Sequence, residues 1–150
     1  MNDENKSSKF SRRFMKRKKA QKSEHIVAII VNIILFYIFN NLLNWNISFV
    51  TQALNNILWI INLSIIAAII GNALLLIYNP QWFRNIIKII LNIFSLYAVY
   101  ALYTVFPFNF NEFYIGMALQ FALLITIVVL IIATIVEFVF LIFLLIKKLE

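Results

Sequence analysis

Four long apolar stretches dominate the pattern of hydrophobic and polar positions along this chain. They cover residues 26–43, 55–78, 82–106 and 113–146, and short polar connectors separate them. An α-helix rises about 1.5 Å per residue, so each stretch can cross, or nearly cross, the roughly 30 Å of hydrocarbon in a bilayer. The pattern therefore predicts an all-α integral membrane protein that forms a four-helix bundle.

Residues between the stretches favour helix ends. Asn79 and Pro80 separate the second stretch from the third, and Asn is a good helix cap while Pro suits the first helical position. Pro107 is expected to end the third helix. We expect two regions, a basic cytoplasmic tail over residues 1–24 and a four-span transmembrane domain over residues 25–150.

Positive charge lies in segments that alternate along the chain. Nine of the 13 Lys and Arg residues fall within residues 1–24, and the other four are Arg84, Lys88, Lys147 and Lys148. The first and third connectors carry none. Four crossings place all the basic segments on one side, which the positive-inside rule makes cytoplasmic. The prediction is a plasma-membrane protein with both termini in the cytoplasm.

Composition excludes several kinds of chemistry. The chain is 63% hydrophobic and 13% charged, whereas about a quarter of the residues in a soluble domain are charged. It contains no cysteine and one histidine, His25, so disulfides, thiolate sites and imidazole clusters are excluded. No catalytic motif or glycine-rich phosphate loop is present. We expect a protein that is not an enzyme and that has no cofactor or metal.

One acidic residue lies inside the longest stretch. Glu137 is the one formal charge between Glu112 and Lys147. It precedes Lys147 by ten residues, which places it about 15 Å from the cytoplasmic boundary. A charge at this depth costs about 3 kcal/mol, and an intramembrane acid is therefore a functional candidate.

Amides on the other stretches are expected at a similar depth. Asn32, Asn72 and Asn92 each lie about 10–15 Å from the cytoplasmic boundary, so the sequence predicts a polar layer with Glu137. Lys88 is also near, but side chains lean towards the start of their own helix. Because the third and fourth helices run in opposite directions, we expect Lys88 and Glu137 to diverge. Asn92 or Asn72 is then the expected partner of Glu137.

Two interpretations of this layer remain open. It could be a relay for protons or cations, or it could be polar glue in which each interhelical hydrogen bond contributes roughly 1 kcal/mol. Glue is the commoner use, and the pair Ala67 and Gly71 would let another helix approach closely. Our hypothesis is a non-enzymatic protein that acts by helix–helix association, as an accessory subunit or a small homo-oligomer. The alternative is a small proton- or cation-coupled transporter or channel that uses Glu137.

The basic tail is interpreted as a topology signal that also contacts anionic lipid. A tail beside a membrane anchor meets lipid phosphate first, so we favour membrane lipid over nucleic acid as its partner. His25 lies at the membrane boundary, where we favour a structural role over a pH sensor. The residues expected to contact lipid are Arg12, Arg13, Lys16, Arg17, Lys18 and Lys19.

Overall fold

A computed structural model describes the backbone of residues 3–149 and the side chains of residues 21–147. Within this part of the chain the secondary structure is helical, apart from the connectors and one isolated β-bridge. The helices, in chain order, are α1 (Asp3–Asn41), α2 (Leu54–Ile77), α3 (Gln81–Val105) and α4 (Phe113–Leu149).

The described residues form four helices, which confirms the all-α prediction. Each of these helices is long and apolar enough to span a membrane. One boundary differs from expectation. The tail and the first apolar stretch form one continuous helix, α1, which begins at Asp3 and not near residue 25. The segments long and apolar enough to span are Gln21–Asn41, Leu54–Ile77, Gln81–Val105 and Phe113–Lys147.

The helices pack as a row in chain order. Helix α1 contacts α2, α2 contacts α3, and α3 contacts α4. Within residues 3–149, α1 does not pack against α3 or α4, and α2 does not pack against α4. The bundle is therefore open, whereas the polar layer predicted from the sequence requires all four helices to face one centre. Short connectors favour pairing of consecutive helices, and an apolar face gains little from closing a bundle when its surroundings are also apolar.

The apolar core lies between α2 and α3. Ala98 and Ala101 of α3 are buried, and their small side chains allow α2 to lie close. Phe39 of α1 packs against the same cluster from the other side. Helix α2 is thus the central element of the first three helices. Its buried residues in this cluster are Leu54, Ile57, Ile60, Ile61 and Ile65.

Gly71 marks a second close approach of the same two helices. A Cβ atom added to Gly71 would lie 3.0 Å from Cδ2 of Leu91 and 3.1 Å from Cγ2 of Ile87, both on α3. These distances are shorter than ordinary van der Waals contacts between carbon atoms. The expectation that the small residue at this position admits a neighbouring helix is therefore confirmed, and that helix is α3.

The first and third connectors are joined to each other. The N–H of Thr51 donates to the carbonyl of Pro107 at 3.0 Å, and the N–H of Asn109 donates to the carbonyl of Phe49 at 2.8 Å. The Phe49 ring also stacks on Phe110, with 5.1 Å between centroids. These bonds fasten the α1–α2 connector to the α3–α4 connector. We call this end of the row the connector end and the opposite end, with the α2–α3 turn, the basic end.

Candidate functional site

Lys88 and Glu137 form an ion pair between α3 and α4. Nζ of Lys88 donates to Oε1 of Glu137 at 3.3 Å. The Lys88 side chain is 49% exposed and that of Glu137 is 21% exposed. The expectation that these two side chains diverge was therefore wrong, and so was the expectation of an Asn partner for Glu137.

The order of the helices explains why an amide does not take this place. Helix α3 lies between α2 and α4, so Asn72 on α2 is on the far side of α3 from Glu137. Asn92 is on α3, one turn beyond Lys88, and makes no side-chain hydrogen bond to the described residues. The lean of a side chain towards the start of its helix does not keep Lys88 from Glu137, because the flexible four-carbon Lys stem is long enough to turn towards its partner.

Glu137 is part of the stripe by which α4 contacts α3. Residues on this stripe are partly buried and recur at intervals of three or four, the spacing of helices that cross at a small angle. The carboxylate therefore points at α3, where it accepts from Lys88. The partly buried residues of the stripe are Gly116, Leu119, Leu123, Ile127, Leu130, Thr134, Glu137, Leu141 and Leu144.

A polar pocket adjoins the ion pair at the basic end of α3 and α4. Its volume is about 290 Å³. Asn85 lies in its wall, is 4% exposed, and has an Nδ2 atom without a hydrogen-bond partner. The pocket thus combines two cations, one carboxylate and an unsatisfied amide donor. The lining residues are Gln81, Arg84, Asn85, Lys88, Val136, Glu137 and Phe140.

The four members of the predicted polar layer are not brought into one network. Nδ2 of Asn32 donates to the carbonyl of Ala28 in its own helix at 2.8 Å. Asn72 bonds to α1, Glu137 bonds to Lys88, and Asn92 has no side-chain bond within the described part of the chain. A continuous relay through these four residues is therefore not formed in this structure.

His25 ties α1 to α2 and to the turn that follows. Nδ1 of His25 lies 2.9 Å from Oδ1 of Asn72, and Nδ2 of Asn79 lies 3.5 Å from Nε2 of His25. A neutral imidazole with its proton on Nδ1 donates the first bond and accepts the second, so one tautomer fits both neighbours. The contacts agree with a structural role for His25 at the basic end.

Asn40 and Asn62 form a reciprocal amide pair that the sequence reasoning missed. Nδ2 of Asn40 donates to Oδ1 of Asn62 at 2.9 Å, and Nδ2 of Asn62 donates to Oδ1 of Asn40 at 3.0 Å. Counted from the basic ends of their stretches, at residues 26 and 78, the two amides lie 14 and 16 residues in, but a similar depth does not by itself show that two side chains face each other. The available signal was the presence of two amides in apolar stretches, since each needs a partner there.

Helix α4 exposes small residues beside its contact stripe. Ala118, Ala122 and Thr126 follow at intervals of four, and all three are exposed. The Thr126 hydroxyl donates to the carbonyl of Ala122 at 2.8 Å, so its hydrogen-bonding need is met within α4. This arrangement leaves a shallow surface on α4 that another helix could approach closely.

The predicted lipid-contacting residues of the tail, Arg12 to Lys19, lie outside the residues whose side chains the structure describes. Among the described residues, no group of three or more His, Cys, Asp or Glu could hold a metal ion. Comparison with protein-family models, curated proteins and solved structures finds no match to this chain. A functional proposal therefore rests on the contacts described above.

Proposed function

We propose that this chain is a non-enzymatic integral protein of the cytoplasmic membrane that acts by associating with a second copy of itself through α4. It would cross the membrane four times, with both termini in the cytoplasm. The observation that supports this most is the open row. Helix α4 contacts α3 along one stripe, and within the described residues its remaining surface has no neighbour.

The exposed surface of the row supports a membrane location. Large apolar side chains such as Ile33, Phe121 and Val139 are more than half exposed. Apolar patches this extensive are rare on soluble monomers and mark contact with lipid or with another protein. Arg84 and Lys147 both lie towards the end of the row that carries the α2–α3 turn. The positive-inside rule associates such an end with the cytoplasm.

Between the two edge helices, α4 is the better contact surface. In lipid, helices associate through close packing of small residues and not through the hydrophobic effect. Helix α4 offers Ala118, Ala122 and Thr126, whereas the exposed positions of α1 from Ile26 to Tyr37 all carry large side chains. Two copies with the same orientation would place their α4 helices parallel about a two-fold axis normal to the membrane.

The mass of the protein in mild detergent or lipid nanodiscs tests this proposal. Native mass spectrometry of the full chain should show a dimer. Ala122→Leu should shift it towards monomer, because the larger side chain fills the surface that the second helix would use. Ile131→Leu, an isomeric change at an exposed position on the other flank of α4, should leave the dimer intact. A strictly monomeric parent protein would contradict the proposal.

The alternative is a small proton- or cation-coupled transporter that uses Glu137. The pocket beside Glu137 favours it, since a solute could reach the carboxylate there. We place it second, because Glu137 is paired with Lys88 and the other amides do not continue a path. Proton uptake by vesicles that carry the protein, lost in Glu137→Gln, would replace self-association by transport as the proposed function.

A further inference from the structure

We infer that the pocket between α3 and α4 at the basic end binds the phosphate group of an anionic membrane phospholipid. Arg84, Lys88 and Glu137 line this pocket, so two positive charges face one negative charge. Lys88 is paired with Glu137, while Arg84 has no ion-pair partner in the described part of the chain. The pocket therefore has one excess positive charge, carried by a guanidinium that suits phosphate.

The uncharged groups of the pocket also favour an anion. Asn85 is 4% exposed, and its Nδ2 atom is a buried donor without a partner. Leaving such a donor unpaired is costly, and a phosphate oxygen is an acceptor that would satisfy it once the amide turns into the pocket. The site lies on the first two turns of α3, whose N-cap Pro80 provides no side-chain cap. The free N–H groups of that first turn add positive potential.

An apolar cavity beside the pocket indicates a lipid and not a free phosphate. This second cavity, of about 310 Å³, is lined by Gln81, Trp82, Leu144 and Leu145. Gln81 belongs to both cavities, so the polar pocket and the apolar cavity are neighbours. The polar pocket would hold the phosphate of a phospholipid, and the apolar cavity could receive part of an acyl chain.

The depth of the charged groups fits the same ligand. Arg84 and Lys88 follow the start of α3 at Gln81 by three and seven residues, or about 5 and 10 Å along the helix axis. Long basic side chains at this depth reach the headgroup level, where basic pockets between helices bind anionic lipid. The site is formed by α3 and α4 of one chain, so the inference does not depend on self-association.

Lipid binding to the full chain in detergent tests the inference. Native mass spectrometry would titrate the protein with phosphatidylglycerol, with phosphatidylcholine of the same acyl chains, and with soluble glycerol phosphate. We expect phosphatidylglycerol to bind at least about tenfold more tightly than phosphatidylcholine, because the pocket has an excess positive charge. Glycerol phosphate at millimolar concentration should not displace it, because it lacks the acyl chains.

Two substitutions with opposite expected effects separate binding from misfolding. Arg84→Gln should weaken phosphatidylglycerol binding by about tenfold or more, since a charge-assisted bond is lost. Glu137→Gln removes the negative charge beside Lys88 and should tighten binding, a gain that misfolding cannot produce. Lys22→Gln is the matched control, because it removes one positive charge from the exposed surface of α1, away from the pocket.

Four outcomes would overturn the inference. Equal binding of the two lipids would exclude recognition of net charge by the pocket. Unchanged affinity in Arg84→Gln, or a loss as large in Lys22→Gln, would exclude the pocket as the binding site. Displacement by glycerol phosphate alone would assign the pocket to a soluble anion and not to a lipid.

Discussion

Nζ of Lys88 lies 3.3 Å from Oε1 of Glu137, and this contact joins α3 to α4 where both helices are otherwise largely apolar. In the proposed membrane location, the Glu137 charge alone would cost about 3 kcal/mol. As a pair, the two charges neutralise each other and are more easily accommodated.

The ion pair leads to the first prediction, which concerns stability. Lys88→Met should lower the free energy of unfolding by about 2–3 kcal/mol, because Glu137 is left without a cation. The double substitution Lys88→Met with Glu137→Leu should cost clearly less than the sum of the two single changes. Reversible unfolding in mixed micelles measures these energies. Lys147→Met is the control, since Lys147 has no ion pair in the described residues. If the effects of the two single changes were strictly additive in the double variant, the ion pair would contribute nothing to the free energy of unfolding.

The Asn40–Asn62 pair leads to the second prediction. Asn40→Leu removes two hydrogen bonds between α1 and α2 and leaves the Asn62 amide unpaired, so it should destabilise the protein by about 1 kcal/mol. Asn32→Leu loses a bond within its own helix and should have almost no effect. The same unfolding assay compares the two variants. If Asn40→Leu and Asn32→Leu lowered the free energy of unfolding equally, the amide pair between α1 and α2 would contribute no more to stability than a bond within one helix.

Gly71 leads to the third prediction, with Gly116 as an internal control. Gly71→Ala places a methyl group 3.0 Å from Cδ2 of Leu91 and 3.1 Å from Cγ2 of Ile87, so these packed side chains must shift, at an expected cost of about 1–2 kcal/mol. A Cβ at Gly116 would lie 3.8 Å from Phe110, an ordinary contact, so Gly116→Ala should be neutral or slightly stabilising. Both changes replace a helical Gly by Ala, so comparing the thermal unfolding of the two variants reports mainly the steric effect at Gly71. A stabilised Gly71→Ala variant would contradict the close packing of α2 on α3.

The helices could be predicted from the sequence because their signal is local. Long apolar runs, the turn at Asn79 and Pro80, and Pro107 after the third helix place the ends of α2 and α3 within one residue and those of α4 within three. The start of α1 at Asp3 could not be located in the same way. The polar residues of the tail change the composition at about residue 25, but they do not interrupt a helix.

The order of packing could not be predicted in the same way. A helix that is apolar on every side gives no periodic signal for the side that meets its neighbour, and α2 is of this kind. Depth counting placed Asn72 and Glu137 at one level, but level alone does not make two residues neighbours when α3 lies between them. The pairing of Lys88 with Glu137 depends on this order and on the direction of the Lys88 side chain, and neither can be read from spacing along the chain.

The proposed contact of α4 with a second copy is tested most directly by disulfide crosslinking in membranes of cells that express the protein, because the chain contains no cysteine of its own. Single substitutions would be made at Ala122, on the exposed small-residue surface, and at Leu130, on the stripe that faces α3. Ile131→Cys controls for an exposed position on the other flank. Self-association through α4 predicts a crosslinked dimer for Ala122→Cys and little for the other two. Equal crosslinking at all three positions, or none at Ala122, would contradict it.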